Sequence, residues 1–395
     1  MRVTIASRIF TPEAAAASFR LRALADALAD AGHAVKVVTA AAPRRLRVAA
    51  TASDRARRGV TVRRLPVLRD ADDYVRGYLQ YLSFDVPLLF RLLTGRRPDA
   101  LVVEPPPTTG FFARAAAAIR GVPYIYYAAD VWSDATASTG APAIVTAAVR
   151  LLERFALGGA AHIIAVSDGV AERVRELAGH DRVTVARNGI DTAVFTPVGT
   201  ADELPPTAAY TGTMSEWQGA DVFVRALPAV LRAVPEARLV FAGHGSARGE
   251  LEALARELGV AASVAFIGVV PPADAARLLR SAQVGLVSIK PGQGYDFALP
   301  TKLFAATACG TPVIFAGDAT DIAADIVGGA GLGATPGYDV AAVAQAMTDA
   351  LATPPSASER GRLAEWTREN ASLAATARAV AAVVTSVVQT EGGSR

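Results

Sequence analysis

The residue of this chain best placed to do chemistry is a lysine in the segment running from Tyr295 to Ile314, YDFALPTKLFAATACGTPVI. Leu299-Pro300-Thr301 reads as a turn that opens into a helix of small residues, with Lys302 in its first turn. Cys309-Gly310-Thr311-Pro312 then breaks the helix, and an apolar strand follows. The first turn of a helix carries backbone N–H groups without intrahelical partners, and an ammonium beside them makes an anion site. In an α/β protein the anion usually held this way is a phosphate or pyrophosphate, which points to a nucleotide-type ligand. A solvated lysine on an ordinary helix–loop–strand unit is the competing reading.

Two further loops carry the same signal. Tyr210-Thr211-Gly212-Thr213-Met214-Ser215 follows a strand-like run, with Gln218-Gly219 next and a helix starting near Asp221, which reads as its N-cap. The following strand ends in Ala242-Gly243-His244-Gly245. Glycines there let the backbone approach a phosphate closely. All three segments lie at carboxyl ends of expected strands and therefore converge on one edge of a sheet.

In the first half, Arg20 follows a loop and could contact a phosphate or an acceptor. Asp130 follows the aromatic strand Tyr124–Tyr127 and could serve as a base or a sugar ligand, with a plain helix cap as the alternative. His33, after Gly32, reads as a turn residue. Glu153-Arg154 reads as a structural helix pair, and Arg187-Asn188-Gly189 as a turn at a domain junction. Asp70-Ala71-Asp72-Asp73 spells a metal-like string in a polar connection. Four scattered histidines and one cysteine give no readable zinc site, so no metal is expected.

The elements that must position these residues alternate. Val3–Ala6, Ala34–Thr39, Ala100–Val103, Pro123–Tyr127, Ile163–Val166 and Val183–Ala186 read as strands. They are separated by helical patterns such as Ala17–Ala31, with Leu21, Leu24 and Leu28 on one face and Gly32 at its end. Thr196 to Thr207 (TPVGTADELPPT) reads as an interdomain linker. Beyond it Ala208–Tyr210, Leu239–Ala242, Val264–Ile267, Val284–Ser288 and Pro312–Phe315 are expected strands, with helices over Asp221–Val234, Gly249–Leu258 and Ala273–Ser281. The expectation is an α/β protein of two tandem, doubly wound parallel-sheet domains facing a cleft, where ligands bind at strand carboxyl ends. The expected domains are 1–196, 197–370 and a C-terminal helical piece, 371–395.

Composition bounds the rest. A chain of 395 residues exceeds one compact core, and 52% hydrophobic with 19% charged residues describes a folded globular protein. A net charge of +3 from 40 basic and 37 acidic residues gives no reason to expect nucleic-acid binding. The single cysteine, Cys309, cannot form an internal disulfide, which suits a reducing, cytoplasmic compartment. Met1-Arg2-Val3-Thr4-Ile5-Ala6 runs straight into a strand rather than a secretion signal. No apolar run reads as long enough to span a bilayer. Tyr78–Leu93 and Ala143–Leu157 could lie on the inner face of a membrane as a peripheral contact, with core packing the preferred reading.

As a set, these landmarks resemble the retaining glycosyltransferases of family 4, which have the GT-B architecture of two facing Rossmann-like domains. The matching phrases are Gly32-His33-Ala34-Val35, Glu153-Arg154, Ala160-Ala161-His162-Ile163-Ile164-Ala165-Val166-Ser167, Arg187-Asn188-Gly189-Ile190-Asp191 with Phe195, Gly212 with Gly219, Gly243-His244-Gly245, and Leu299-Pro300-Thr301-Lys302 with Cys309-Gly310-Thr311-Pro312-Val313. The Pro-Thr-Lys form resembles the subgroup working on bacterial surface polysaccharides. The resemblance implies a nucleoside-diphosphate-sugar donor in the second domain. The base and ribose would lie near His244, Gly268 and Val269. The diphosphate would lie at Gly212, Thr213, Lys302 and the helix start after Pro300, with Gln218, Leu299 and Thr301 alongside. It implies a saccharide, lipid-linked or small-molecule acceptor in the first domain, facing Thr11, Ser18, Arg20, Asp130, Trp132 and Asp134. Lys302, Asp130 and Arg20 would carry the catalytic roles, without a metal or other cofactor.

The chain departs from the family pattern. The arginine and lysine usual around the first loop are Thr213 and Gln218. The paired glutamates fall at Phe297 and Ala305, with Asp296 one residue from the first. A glycine pair of the first domain reads Ala14-Ala15-Ala16-Ala17. A nucleotide-sugar 2-epimerase and a non-catalytic nucleotide-sugar-binding partner are the alternatives.

Overall fold

The computed structural model describes residues 1–13, 15–55, 59–70, 73, 75, 77–138, 141–293 and 298–393. Two compact units form: Met1–Asn188 with Leu373–Arg395, and Gly189–Ser372.

The first unit is built on strands β1 (Arg2–Ala6), β2 (Ala34–Ala40), β3 (Val60–Leu65), β4 (Ala100–Val103), β5 (Tyr124–Ala128), β6 (His162–Ala165) and β7 (Val183–Val185). They pair in parallel in the order β3-β2-β1-β4-β5-β6-β7. A parallel sheet covered by helices on both faces needs strands that are apolar throughout. β1, β4 and β5 satisfy this, with Val3, Ile5, Val102, Val103, Ile125 and Tyr126 all buried. β3 escapes the sequence reading because it is an edge strand whose Arg63 and Arg64 interrupt the apolar pattern.

The helix Ala16–Asp30 lays Leu21, Leu24 and Leu28 on this sheet. Beside it runs the helix Leu373–Gly393, whose Val380, Ala381 and Val384 complete the same core. Its stretch Leu373–Thr390 has a mean hydropathy of 1.4 and reaches membrane-spanning length, contrary to the expectation that no run would. Only 22% of that stretch is buried. The apolar segments set down as core turn out to be half core. The helices Tyr78–Thr94 and Ala143–Gly158 both pack on Pro107–Arg120, yet leave Leu79, Phe90, Ile144 and Leu151 exposed.

The second unit repeats the scheme with β8 (Thr207–Thr211), β9 (Arg238–Ala242), β10 (Val264–Gly268), β11 (Val284–Ser288), β12 (Val313–Ala316) and β13 (Gly333–Ala334), all parallel, in the order β10-β9-β8-β11-β12-β13. The helix Ala357–Asn370 belongs here, with Trp366 stacked on Phe304 at 6.4 Å between ring centroids. The stretch read as a linker is also part of this unit. Arg280 donates to the carbonyls of Thr196 and Thr200, and Ser281 accepts from the backbone of Asp202. The second unit accordingly begins at Gly189, where the sequence reading ran the first domain to residue 196.

Each sheet reverses its winding once, between β1 and β4 in the first and between β8 and β11 in the second. The carboxyl ends of strands at such a reversal leave a crevice that ligands use.

Candidate functional site

In the second unit the crevice is framed by two loops that extend the β8–β9 pairing beyond the sheet. Gly212 donates to the carbonyl of Ala242 at 2.8 Å, Met214 to that of His244 at 3.0 Å, and Ala247 to that of Met214 at 3.0 Å. This zipper depends on glycine. A Cβ on Gly243 would stand 1.8 Å from the Gly212 oxygen at a φ of +152°, and one on Gly245 would stand 2.1 Å from the Met214 oxygen. Gln218, read as a donor contact, is buried. Its Oε1 accepts from the Ser215 N–H at 3.1 Å and the Thr213 hydroxyl at 3.2 Å, closing a capping box. Its side chain therefore shapes the loop.

Lys302 enters this loop from the helix Thr301–Ala308, which starts at Pro300 without a side-chain cap. Its Nζ donates to the Thr213 carbonyl at 3.1 Å and lies 3.7 Å from the centroid of the Tyr210 ring. The Tyr210 hydroxyl donates to the same carbonyl at 3.0 Å. Lys302 is 9% exposed, and among the described residues no carboxylate pairs with it. Burial alone pushes its ammonium well below the ordinary lysine value. A buried amine held by one carbonyl and one ring face is a candidate contact for an anion.

Around it the remaining sequence candidates separate. Gly212, Thr213, Gly243, His244 and Lys302 come together; the His244 side chain is exposed. Gly268 and Val269 lie at the end of β10, two strands from β8, with Val269 68% exposed. Leu299, Pro300 and Thr301 lead into the Lys302 helix, Thr301 facing solvent. Asp296 and Phe297 lie outside the described residues. Asp221 does not cap its helix: Ala220 holds that position, and the Asp221 carboxylate accepts from Tyr338 and Arg225.

The first unit's crevice holds a buried ion pair. Arg20, 6% exposed, donates through Nε to Glu104 Oε1 at 3.1 Å and also through Nη2. Its Nη1 donates to Asn188 Oδ1 at 2.8 Å, and its guanidinium lies 4.9 Å from the centroid of the Tyr127 ring. Ser7, at the end of β1, donates to Glu104 Oε2 at 3.0 Å. Through Glu104, Arg20 thus links the ends of β1 and β4 to Asn188. Asp130 lies within the field of this pair; burial raises its carboxyl above the usual range, while Arg20 draws it down.

The other first-unit candidates are engaged within the protein. Thr11 is held by Arg22 and Arg64. Ser18 is 0% exposed, with its hydroxyl enclosed. Asp134, expected to face an acceptor, has both oxygens on Arg173, at 2.7 and 3.0 Å, so its carboxylate ties the helix Trp132–Ser138 to Asp168–Ala178. Trp132 donates its backbone N–H to Glu153 at 2.7 Å, and its ring meets Tyr81 edge-on at 6.0 Å. The same Glu153 carboxylate takes the Ser133 N–H, capping that helix from a distance. Glu104 was missed from the sequence; its one signal is a carboxylate following directly on the apolar run of β4. His33, Asp70 and Asp73 fall outside both crevices. Among the described residues no group of three metal-ligating side chains occurs.

Two parallel α/β units, each with a polar crevice at its winding reversal, have the GT-B architecture of solved glycosyltransferases. The sequence profile of the Glycosyl transferase 4-like domain matches residues 16–189, and that of Glycosyl transferases group 1 matches residues 205–353. The chain belongs to this glycosyltransferase family. A D-inositol 3-phosphate glycosyltransferase of Segniliparus rotundus is 31% identical over 181 residues, 40% of this chain and 39% of that protein. A phosphatidyl-myo-inositol mannosyltransferase of Mycobacterium tuberculosis is 33% identical over 149 residues, 37% of this chain and 38% of that one. The match therefore spans about two fifths of these relatives' length. The solved sucrose-phosphate synthase of Thermosynechococcus elongatus superposes with a TM-score of 0.70 at 16% identity, covering 99% of this chain and 100% of that one.

Proposed function

We propose that this protein moves a glycosyl group from a nucleoside-diphosphate sugar to a hydroxyl of an acceptor, with retention at the anomeric carbon. The observation that carries the reading is Lys302, a buried amine with no carboxylate partner among the described residues, bound to the Gly212–Thr213 loop at the winding reversal of the second sheet. In the reaction the bond between the anomeric carbon and the diphosphate oxygen breaks, and its electron pair goes to the diphosphate. The acceptor oxygen bonds to the same face of the carbon, and its proton passes to the departing diphosphate. The difficult feature is negative charge growing on the leaving oxygens. A pre-placed ammonium and backbone N–H groups in a dry crevice stabilise such charge with little reorganisation. Arg20 and Glu104 hold the acceptor-side crevice in shape. Asp130 would receive a hydrogen bond from the acceptor. The relatives that act on inositol phosphates and phosphatidylinositol favour a lipid-linked or polyol acceptor over a protein.

The experiment is a melting series of the purified chain with UDP, GDP, TDP and ADP and their common sugars. A ligand that binds only the folded state raises the melting temperature by mass action, roughly 2.7 kcal/mol at a hundred times its Kd. One nucleotide is expected to give a clear shift. A flat response to all of them removes the donor-site assignment and leaves a family member with another role.

A further inference from the structure

We infer that the first unit carries a separate pocket for an apolar aglycone, so that the acceptor is an aryl or alkyl compound rather than a bare sugar or polyol. The inference rests on the transferase reading for the word acceptor, though the pocket stands on its own geometry. A cavity of about 210 Å³ opens among Gly77, Tyr81, Pro106, Trp132, Val149 and Leu152, with Pro107, Thr108 and Thr136 completing its wall. It lies on the functional edge of the sheet. Pro106 comes two residues after Glu104, and Trp132 follows the end of β5.

The wall is made to receive carbon. Beside its prolines, Val149 and Leu152, the lining residues carry few polar side-chain atoms: the hydroxyls of Tyr81, Thr108 and Thr136 and the Trp132 ring N–H. Thr136 already donates to the Trp132 carbonyl at 2.7 Å. A sugar ring buried here would leave most of its hydroxyls without hydrogen bonds, and each of those would cost more than its burial returns. An alkyl chain or a substituted benzene leaves none. The rings are also fixed before anything binds. The Arg8 guanidinium lies 3.9 Å from the centroid of the Tyr81 ring, and Glu153 anchors the backbone under Trp132. Tyr81 and Trp132 meet edge to face at 81° with ring centroids 6.0 Å apart, so they are packed on each other and form one fixed wall of the slot. The flanking helices continue the apolar character outward through Leu79, Leu82, Ile144 and Leu151, all exposed.

The test is calorimetry of the full chain, with and without the stabilising nucleotide, against n-hexyl, 4-nitrophenyl and methyl glycosides of glucose, mannose and galactose. For the same sugar, the hexyl and nitrophenyl compounds should bind at least tenfold tighter than the methyl one. Leu152→Trp, which fills the slot, should erase that preference while leaving the nucleotide-induced melting shift unchanged. Thr136→Phe, filling from the opposite wall, serves if the first variant folds poorly. Equal binding of hexyl and methyl glycosides to the unaltered protein overturns the proposal, as does a preference that survives both fillings. A missing nucleotide shift would count against the transferase reading, while the glycoside comparison without nucleotide would still decide the pocket.

Discussion

Lys302→Met should bind its nucleoside diphosphate at least a hundredfold more weakly, yet melt at a higher temperature than the unaltered protein. The two effects share one cause. The Lys302 amine is nearly enclosed, with the Thr213 carbonyl and the Tyr210 ring as its partners among the described residues. Its charge is poorly solvated without ligand, and burial holds its pKa well below the ordinary value. Between the folded and unfolded pKa values the unfolded chain carries a proton that the folded one lacks. Stability therefore rises with pH across that window. Methionine has similar length and no charge to bury, so the variant should be more stable at neutral pH and lack this rise. A diphosphate reverses the balance by supplying the anion, so within that pH window binding should take up a proton. Removing one donor aimed at a developing oxyanion costs roughly 10²–10³ in rate. Calorimetry in buffers of different ionisation enthalpy, with melting curves from pH 6 to 10, checks the binding, stability and proton-uptake statements, and a transfer assay checks the rate. A Lys302→Met protein that binds nucleotide like the original would show that the amine serves packing alone.

The second large effect concerns stability. Glu104→Ala leaves the Arg20 guanidinium buried with Asn188, the Tyr127 ring and the more distant Asp130 carboxyl, and without its directly bonded carboxylate. Breaking a buried pair from one side typically costs about 3–5 kcal/mol, because the remaining charge is neither solvated nor paired. The loss should appear in urea unfolding as an earlier transition of the first unit, with the second unit's nucleotide response retained. Arg20→Met combined with Glu104→Leu should recover much of it, since an apolar pair of similar volume carries no desolvation penalty. A Glu104→Ala protein within about 1 kcal/mol of the original would mean that water reaches Arg20 and the pair is not structural.

The parallel core strands were legible because a strand buried on both faces is apolar throughout, as in β4 and β11. The glycine loops were legible because close backbone approach admits no other residue, as at Gly243. What sequence alone does not carry is the pairing of distant side chains. Glu104 and Arg20 are 84 residues apart, so neither announces the other. Asp134 sits near a strand end like a site residue, yet Arg173, 39 residues on, takes its carboxylate. The proline-rich stretch after Phe195 has the composition of a linker, but composition does not reveal that Arg280 and Ser281 bind it to the second unit. Edge strand β3 hid behind its arginines for a related reason: an edge tolerates polar side chains that a central strand cannot.

The most direct test of the central claim is proton NMR of the anomeric signal during transfer. The protein is given the α-linked nucleotide sugar that stabilises it and an n-hexyl or 4-nitrophenyl glycoside acceptor. The expected result is release of nucleoside diphosphate that depends on the acceptor, with a new α-linked anomeric proton matching the donor's configuration. A β-linked product would contradict retention, and a donor left intact or merely hydrolysed with every acceptor would contradict the transferase reading itself.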